Sequence, residues 1–119
     1  MNVIVAGDFA PRARLAQQIK ERKFCDIFPK ELQTIIKSAD YSLVNFESPV
    51  IEDTFSPIKK CGLNLGCSEN AVEAIKYAGF KCATLANNHR LDYGEAGLNK
   101  TVECCQKWEI DVVGVGGNL

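Results

Sequence analysis

The chain has one histidine, one methionine and one tryptophan among 119 residues. A lone imidazole excludes the usual zinc-finger spacing, and none of the six cysteines forms a C-x-x-C pair. No apolar run approaches the roughly 20 residues that a membrane-crossing helix needs. The opening "MNVIVAGDF" has no basic n-region and turns polar too soon for a secretory signal. The expectation is a protein that stays inside the cell, or one whose export signal lies outside this sequence. There is no basic stripe either. The net charge is −1, and lysines occur singly or in pairs, which argues against nucleic-acid partners. The first strand leads into "GDFAPR", not G-x-G-x-x-G, and no lysine-bearing phosphate loop exists. Only the glycines of "GVGGN" (114–118) invite a phosphate-cradling reading. Internal repeats and low-complexity tracts are also missing.

What is present is ordinary for a globular domain. Apolar residues make up 46% and charged residues 24%, in a length suited to one domain with one core. "NVIVA" (2–6) reads as a buried strand that ends at Gly7-Asp8. Pro11 opens a helix over "RARLAQQIKER", with Leu15 and Ile19 four apart. Pro29 begins a second helix through "KELQTIIKSA", with Leu32, Ile35 and Ile36 on one apolar face. "YSLVNF" (41–46) is the next strand. Residues 48–67 form a long connection, with a brief extended piece near "GLNLG"; loops of this length are often functional. Ser68 reads as the N-cap of "ENAVEAIKYA", and Gly79 as its stop. "KCATLA" (81–86) is a third strand, "GEAGLNKTVECCQKWE" a helix and "DVVGVG" (111–116) a fourth strand.

This alternation predicts an α/β fold of β-α-β units with a mainly parallel sheet. The chain stops just after a strand with no helix to cover it. It therefore reads as the N-terminal portion, residues 1–119, of one longer domain. The cut sheet edge would carry exposed apolar surface able to drive homodimerisation. Cys82 and Cys104 lie in apolar strand and helix patterns, and free thiols in a reducing compartment are the favoured state. Cys61 and Cys67, which bracket a glycine-rich segment, are the exception to watch.

The polar residues concentrate where the strands end. Asp8 follows the first strand, Asn45 and Glu47 end the second, and Asn87, Asn88 and His89 follow the third. In a parallel sheet those ends share one edge, the edge where open α/β folds bind ligands. Strands about 4.8 Å apart bring such groups within about 10 Å, and carboxylate and amide oxygens suit hard cations. Each residue has a plainer reading. Asp8 can make an Asx-turn, Glu47 can be a solvated loop carboxylate, and Asn88 a turn residue. His89 can be purely structural, and Asp92 can cap the last helix.

"AGDFAP", "YSLVNFESPV" and "GFKCATLANNHRLDYGEAGLNKTVECCQKWEIDVVGVG" occur in the order of one known family. Across nearly its whole length the chain resembles CapA-type poly-γ-glutamate capsule-biosynthesis proteins of the calcineurin-like metallophosphoesterase superfamily. The resemblance implies half of a metallophosphoesterase-like αββα sandwich, with a capsule polymer such as poly-γ-glutamate as the anionic partner. It implies metal-assisted hydrolysis in the full-length protein, with a divalent ion (Mn, Mg, Fe or Zn) on Asp8, Glu47 and Asn88. His89 would then be the catalytic acid, with Asn45, Asn87 and Asp92 as further candidates. Asn87 stands where the superfamily has glycine, which is itself CapA-like. Ala10 stands where the superfamily's Asp-x-His motif has histidine, so the usual dinuclear site is incomplete. By this resemblance the missing histidines belong to a C-terminal half, and the fragment alone is not expected to catalyse efficiently. The other reading is a non-catalytic module that binds polymer or a partner protein on the same edge.

Overall fold

A computed structural model describes residues 1–115. Four strands form one wholly parallel sheet in the order β1-β2-β3-β4: Val3–Phe9, Tyr41–Phe46, Cys82–Thr84 and Asp111–Val113. Helices α1 (Ala13–Lys20), α2 (Phe24–Ile27) and α3 (Lys30–Ser38) connect the first two strands. Helix α4 (Asn70–Ala78) precedes β3, and α5 (Gly94–Lys107) precedes β4. This is the mixed α/β arrangement expected of half a metallophosphoesterase-like sandwich. Residues 116–119, which include the last glycine pair of "GVGGN", lie outside the described part.

Strands laid down in spatial order, each joined by the usual right-handed crossover, put every connecting helix on one side of the sheet. The burial follows that rule. Val44, Phe46 and Ala83 face the helices and are buried with Ile19, Phe24, Ile36, Val72 and Ile75. The opposite face carries Val3 and Val5, which are 50% and 70% exposed, with Leu43 half-buried beside them. Wholly parallel sheets are normally covered on both faces, so this one has a bare side.

That bare side corrects the expectation of a buried first strand. β1 is an edge strand, three residues longer at its C-terminal end than "NVIVA" suggests. The apolar face assigned to α3 is corrected too. Ile36 is buried, but Leu32 and Ile35 are 40% and 58% exposed because, among the described residues, no strand lies beyond β1 to cover them. They line an open apolar groove of about 280 Å³ with Ile4, Phe28 and Phe80, and Asp8 stands among its lining residues.

Between Val5 and Asp8 the ladder slips. β1 takes three steps from Val5 to Asp8 while β2 takes two, from Leu43 to Asn45. In a regular strand Gly7 would share the face of Val5, and Asp8 would point toward the helices. The bulge turns Asp8 onto the bare face beside Asn45 instead, a re-aiming that bulges commonly provide near functional sites.

The start of α4 differs from expectation. Ser68 makes no side-chain cap; its carbonyl accepts from Ala71 N–H at 3.0 Å, and α4 starts at Asn70. Gly79 does stop α4, with φ +104°, where a side chain would be strained and its Cβ would lie 2.5 Å from Lys37 Cγ. No strand forms at "GLNLG"; Val50 and Cys67 instead make a single parallel bridge that pins the two ends of the long loop together. Thr101 secures one of those ends. Its hydroxyl donates to Gly97 O at 2.7 Å and accepts from Val50 N–H at 2.8 Å.

All six cysteines are free, Cys61 and Cys67 included. Cys25 and Cys61 are exposed; Cys67, Cys82, Cys104 and Cys105 are buried. Burial pushes the Cys104 thiol up to about 11 and that of Cys105 up to about 12. Iodoacetamide should therefore label Cys25 and Cys61 in the folded protein and all six thiols after denaturation, read by intact mass. Native labelling of Cys105 would contradict the packing described.

Candidate functional site

The sheet brings six of the seven sequence candidates into one continuous chain of hydrogen bonds. Asn45, the last residue but one of β2, lies at its centre. Its Nδ2 donates to Asp8 Oδ1 at 2.7 Å and to Glu47 Oε1 at 3.4 Å. Its Oδ1 accepts from Asn87 Nδ2 at 3.2 Å. One neutral amide therefore spans two carboxylates on one side and an amide on the other. The arrangement needs all three strands in register: Asp8 pairs with Asn45, and Asn45 with Thr84, three residues before Asn87.

Asn87 fixes the corner after β3. Its Nδ2 also reaches Phe46 O at 2.9 Å, and its Oδ1 accepts from His89 N–H at 3.0 Å. The second contact is an Asx-type turn, so Asn87 shapes the backbone that presents His89. His89 Nδ1 then meets Asp92 Oδ2 at 2.7 Å. A ring nitrogen that close to a carboxylate oxygen carries the hydrogen, which leaves Nε2 as the ring's other working atom.

Asp92 does not cap α5; Tyr93 stands at that helix's N-cap and makes no side-chain cap bond. The carboxylate turns inward instead and is 1% exposed. It receives Lys60 Nζ on Oδ1 and Leu65 N–H on Oδ2 at 2.6 Å, besides His89. Buried carboxylates survive only with such partners. Burial by itself raises the Asp92 pKa. Lys60, the Leu65 amide and His89 together outweigh that effect and hold the carboxyl below its ordinary value of 3.8. Lys60 and Leu65 were not candidates from sequence. Only the length of the loop that carries them hinted at a role.

Asn88 is the candidate left out. It is exposed and stands apart from the bonded chain among the described residues. A metal ion therefore has a partial fit. Asp8 and Glu47 bring carboxylate oxygens to one amide nitrogen, a hard-donor pair suited to Mg²⁺ or Mn²⁺. Among the described residues, no three His, Cys, Asp or Glu side chains gather closely enough to hold a metal ion. The described residues thus bring two carboxylates together and do not by themselves complete a metal site.

The chain matches the bacterial capsule synthesis protein family, PGA_cap, over residues 2–119. The chain belongs to that family. Its relatives include the capsule biosynthesis protein CapA of Bacillus anthracis, 32% identical over 121 residues. That alignment spans 100% of this chain and 29% of the relative. The PGA biosynthesis protein CapA of Bacillus subtilis (strain 168) is 29% identical over 106 residues, covering 89% of this chain and 28% of that protein. The chain thus spans under a third of the length of these relatives. Among the described residues, no helix of this family member is long and apolar enough to cross a membrane.

Asp92 gives the site a measurable pH dependence. Its folded pKa is depressed, so its contribution to stability is complete above the ordinary value of 3.8 and is lost as pH falls through the folded pKa. Urea unfolding below about pH 5 should show wild type losing a component that Asp92→Asn lacks. At pH 7 that variant should be less stable by about 2 kcal/mol, because Lys60 loses its charged partner and the Leu65 amide its best acceptor. An unchanged midpoint at pH 7 would show that the carboxylate does not hold the loop.

Proposed function

We propose that this chain forms the strand-end portion of a metal-assisted, hydrolase-like centre that acts on poly-γ-glutamate during capsule synthesis. The observation that carries the reading is the single hydrogen-bonded chain from Asp8 through Asn45, Glu47, Asn87 and His89 to Asp92 on one sheet edge. Membership of the capsule synthesis family supports the polymer, and similarity to the PGA biosynthesis protein CapA of Bacillus subtilis supports the poly-glutamate type.

In this reading Asp8 and Glu47 hold a divalent cation, with Asn88 swinging in from its exposed position. The ion supplies Lewis-acid polarisation and charge neutralisation when bound. The chain's own residues do the rest. Asn45 keeps the two carboxylates together, an arrangement that their mutual repulsion would otherwise oppose. Asn87 sets the backbone of residues 87–89. Asp92 holds Nδ1–H of His89 and stabilises the imidazolium, so that Nε2–H of the protonated ring can give its proton to a leaving group and return to the neutral Nδ1–H form.

Calorimetric titration of the protein with Mn²⁺ or Mg²⁺ tests the reading. Wild type should take up metal; Asp8→Ala and Asn88→Ala should bind at least about tenfold more weakly, as loss of one ligand typically dictates. Equal uptake by all three proteins would remove Asp8 and Asn88 from the role.

A second reading rests on Ala10, which stands where the superfamily's motif has histidine. In it the same edge binds polymer without catalysis. Titration with poly-γ-glutamate in the presence of a chelator separates the two. Binding that persists in His89→Ala supports the module, whereas binding that requires metal supports the hydrolase.

A further inference from the structure

The long loop holds Asp92 at three points. Ile58 N–H donates to the Asp92 carbonyl at 2.8 Å, Leu65 N–H donates to Oδ2, and Lys60 Nζ pairs with Oδ1. Of these three donors only Lys60 is a side chain. Its side chain is 23% exposed, and its ammonium also lies 3.5 Å from His89 Nδ1. The lysine and the imidazole therefore share one carboxylate, an oxygen each.

This division of the two oxygens has a geometric consequence. The two oxygens of a carboxylate are equivalent, but its plane turns about χ2, and with Oδ1 free it could rotate out of line with the ring and the Leu65 amide. The Lys60 ammonium on Oδ1 removes that freedom and reserves Oδ2 for His89 and Leu65. An ammonium is also a donor only, so it cannot accept a hydrogen from Nδ1 in place of Asp92. We propose that Lys60 is a positioning residue for His89: through Asp92 it fixes the neutral ring as the Nδ1–H tautomer and leaves Nε2 for the ligand. The proposal deepens the hydrolase reading, in which Nε2 is the reacting atom, and its structural part holds whether or not the site catalyses. Lys60 is not a receptor for the anionic polymer, because the buried carboxylate already neutralises its charge.

His89 is the only histidine, so its two ring nitrogens give one unambiguous pair of signals in nitrogen-15 NMR. At a pH where the ring is neutral, the wild-type protein should show protonated Nδ1 and bare Nε2 only. Lys60→Met should show averaged signals from both tautomers, with the Nδ1 hydrogen exchanging with water roughly tenfold faster, the worth of one net hydrogen bond. Lys60→Arg keeps a cationic donor and should restore the single tautomer. A Lys60→Met protein with the wild-type pattern and only a lower melting temperature would reduce the lysine to a loop staple and overturn the proposal. A wild-type ring with its hydrogen on Nε2 would overturn it without any variant, so a failure of Lys60→Met to fold does not shield it. The intended tautomer in a protein that binds no metal would defeat the hydrolase reading and leave the positioning role standing.

Discussion

One additional residue in β1, between Val5 and Asp8, decides where the polar chemistry of this protein lies. Strand geometry alternates faces, so without the slip Asp8 would be directed at the helices that pack on Val44 and Phe46. There a carboxylate would be desolvated without a partner, at a cost of several kcal/mol. With the slip it meets the Asn45 amide on the open face. The bulge thus resolves a conflict between an apolar core and a charged strand end. Every later contact in the chain, from Asn45 to Asn87 and His89, starts from that placement.

The opposite end of the same chain is organised by burial. Asp92 is enclosed, and the three partners of its carboxylate, two side chains and one backbone amide, come from two places, the long loop and the corner after β3. The site accordingly has two electrostatic characters. Near Asp8 and Glu47 it carries two carboxylates joined by a neutral amide, a region of unbalanced negative charge. Near Asp92 each charge has its partner. A cation is drawn to the first region and gains little from the second, which suits the second to holding a ring in place.

Much of this architecture was legible in the sequence, and the misses have a common cause. β2 is read to the residue because "YSLVNF" is a compact apolar run bounded on both sides by polar residues. Gly79 is read as a helix stop because its backbone conformation is itself local. The exposure of Val3, Val5, Leu32 and Ile35 was not legible, because periodicity marks an apolar face without saying what covers it. The bulge was not legible either; it is a relation between β1 and β2, and Gly7-Asp8 alone looks like the end of a strand. At the site, sequence placed Asp8, Asn45, Glu47, Asn87, Asn88 and His89 on one edge, since topology dictates where strand ends go, and of these only Asn88 stays out of the bonded chain. It offered Asp92 as a possible cap, and only the length of the loop hinted at Lys60, whose role depends on how that loop folds back.

The hydroxyl of Thr101 has a mechanical meaning. It ties the backbone just after Glu47 to helix α5, whose first turn follows directly on the corner that carries His89 and Asp92. Glu47 and His89 are therefore borne by one stiff unit, and a sliding of α5 carries both without changing their separation. Asp8 is tied in as well: beyond its side-chain contact with Asn45, the carbonyl of the adjoining Phe9 accepts from Glu47 N–H at 3.1 Å. What freedom this edge keeps therefore lies in the side-chain torsions of Asp8 and Glu47 and not in the backbone that carries them.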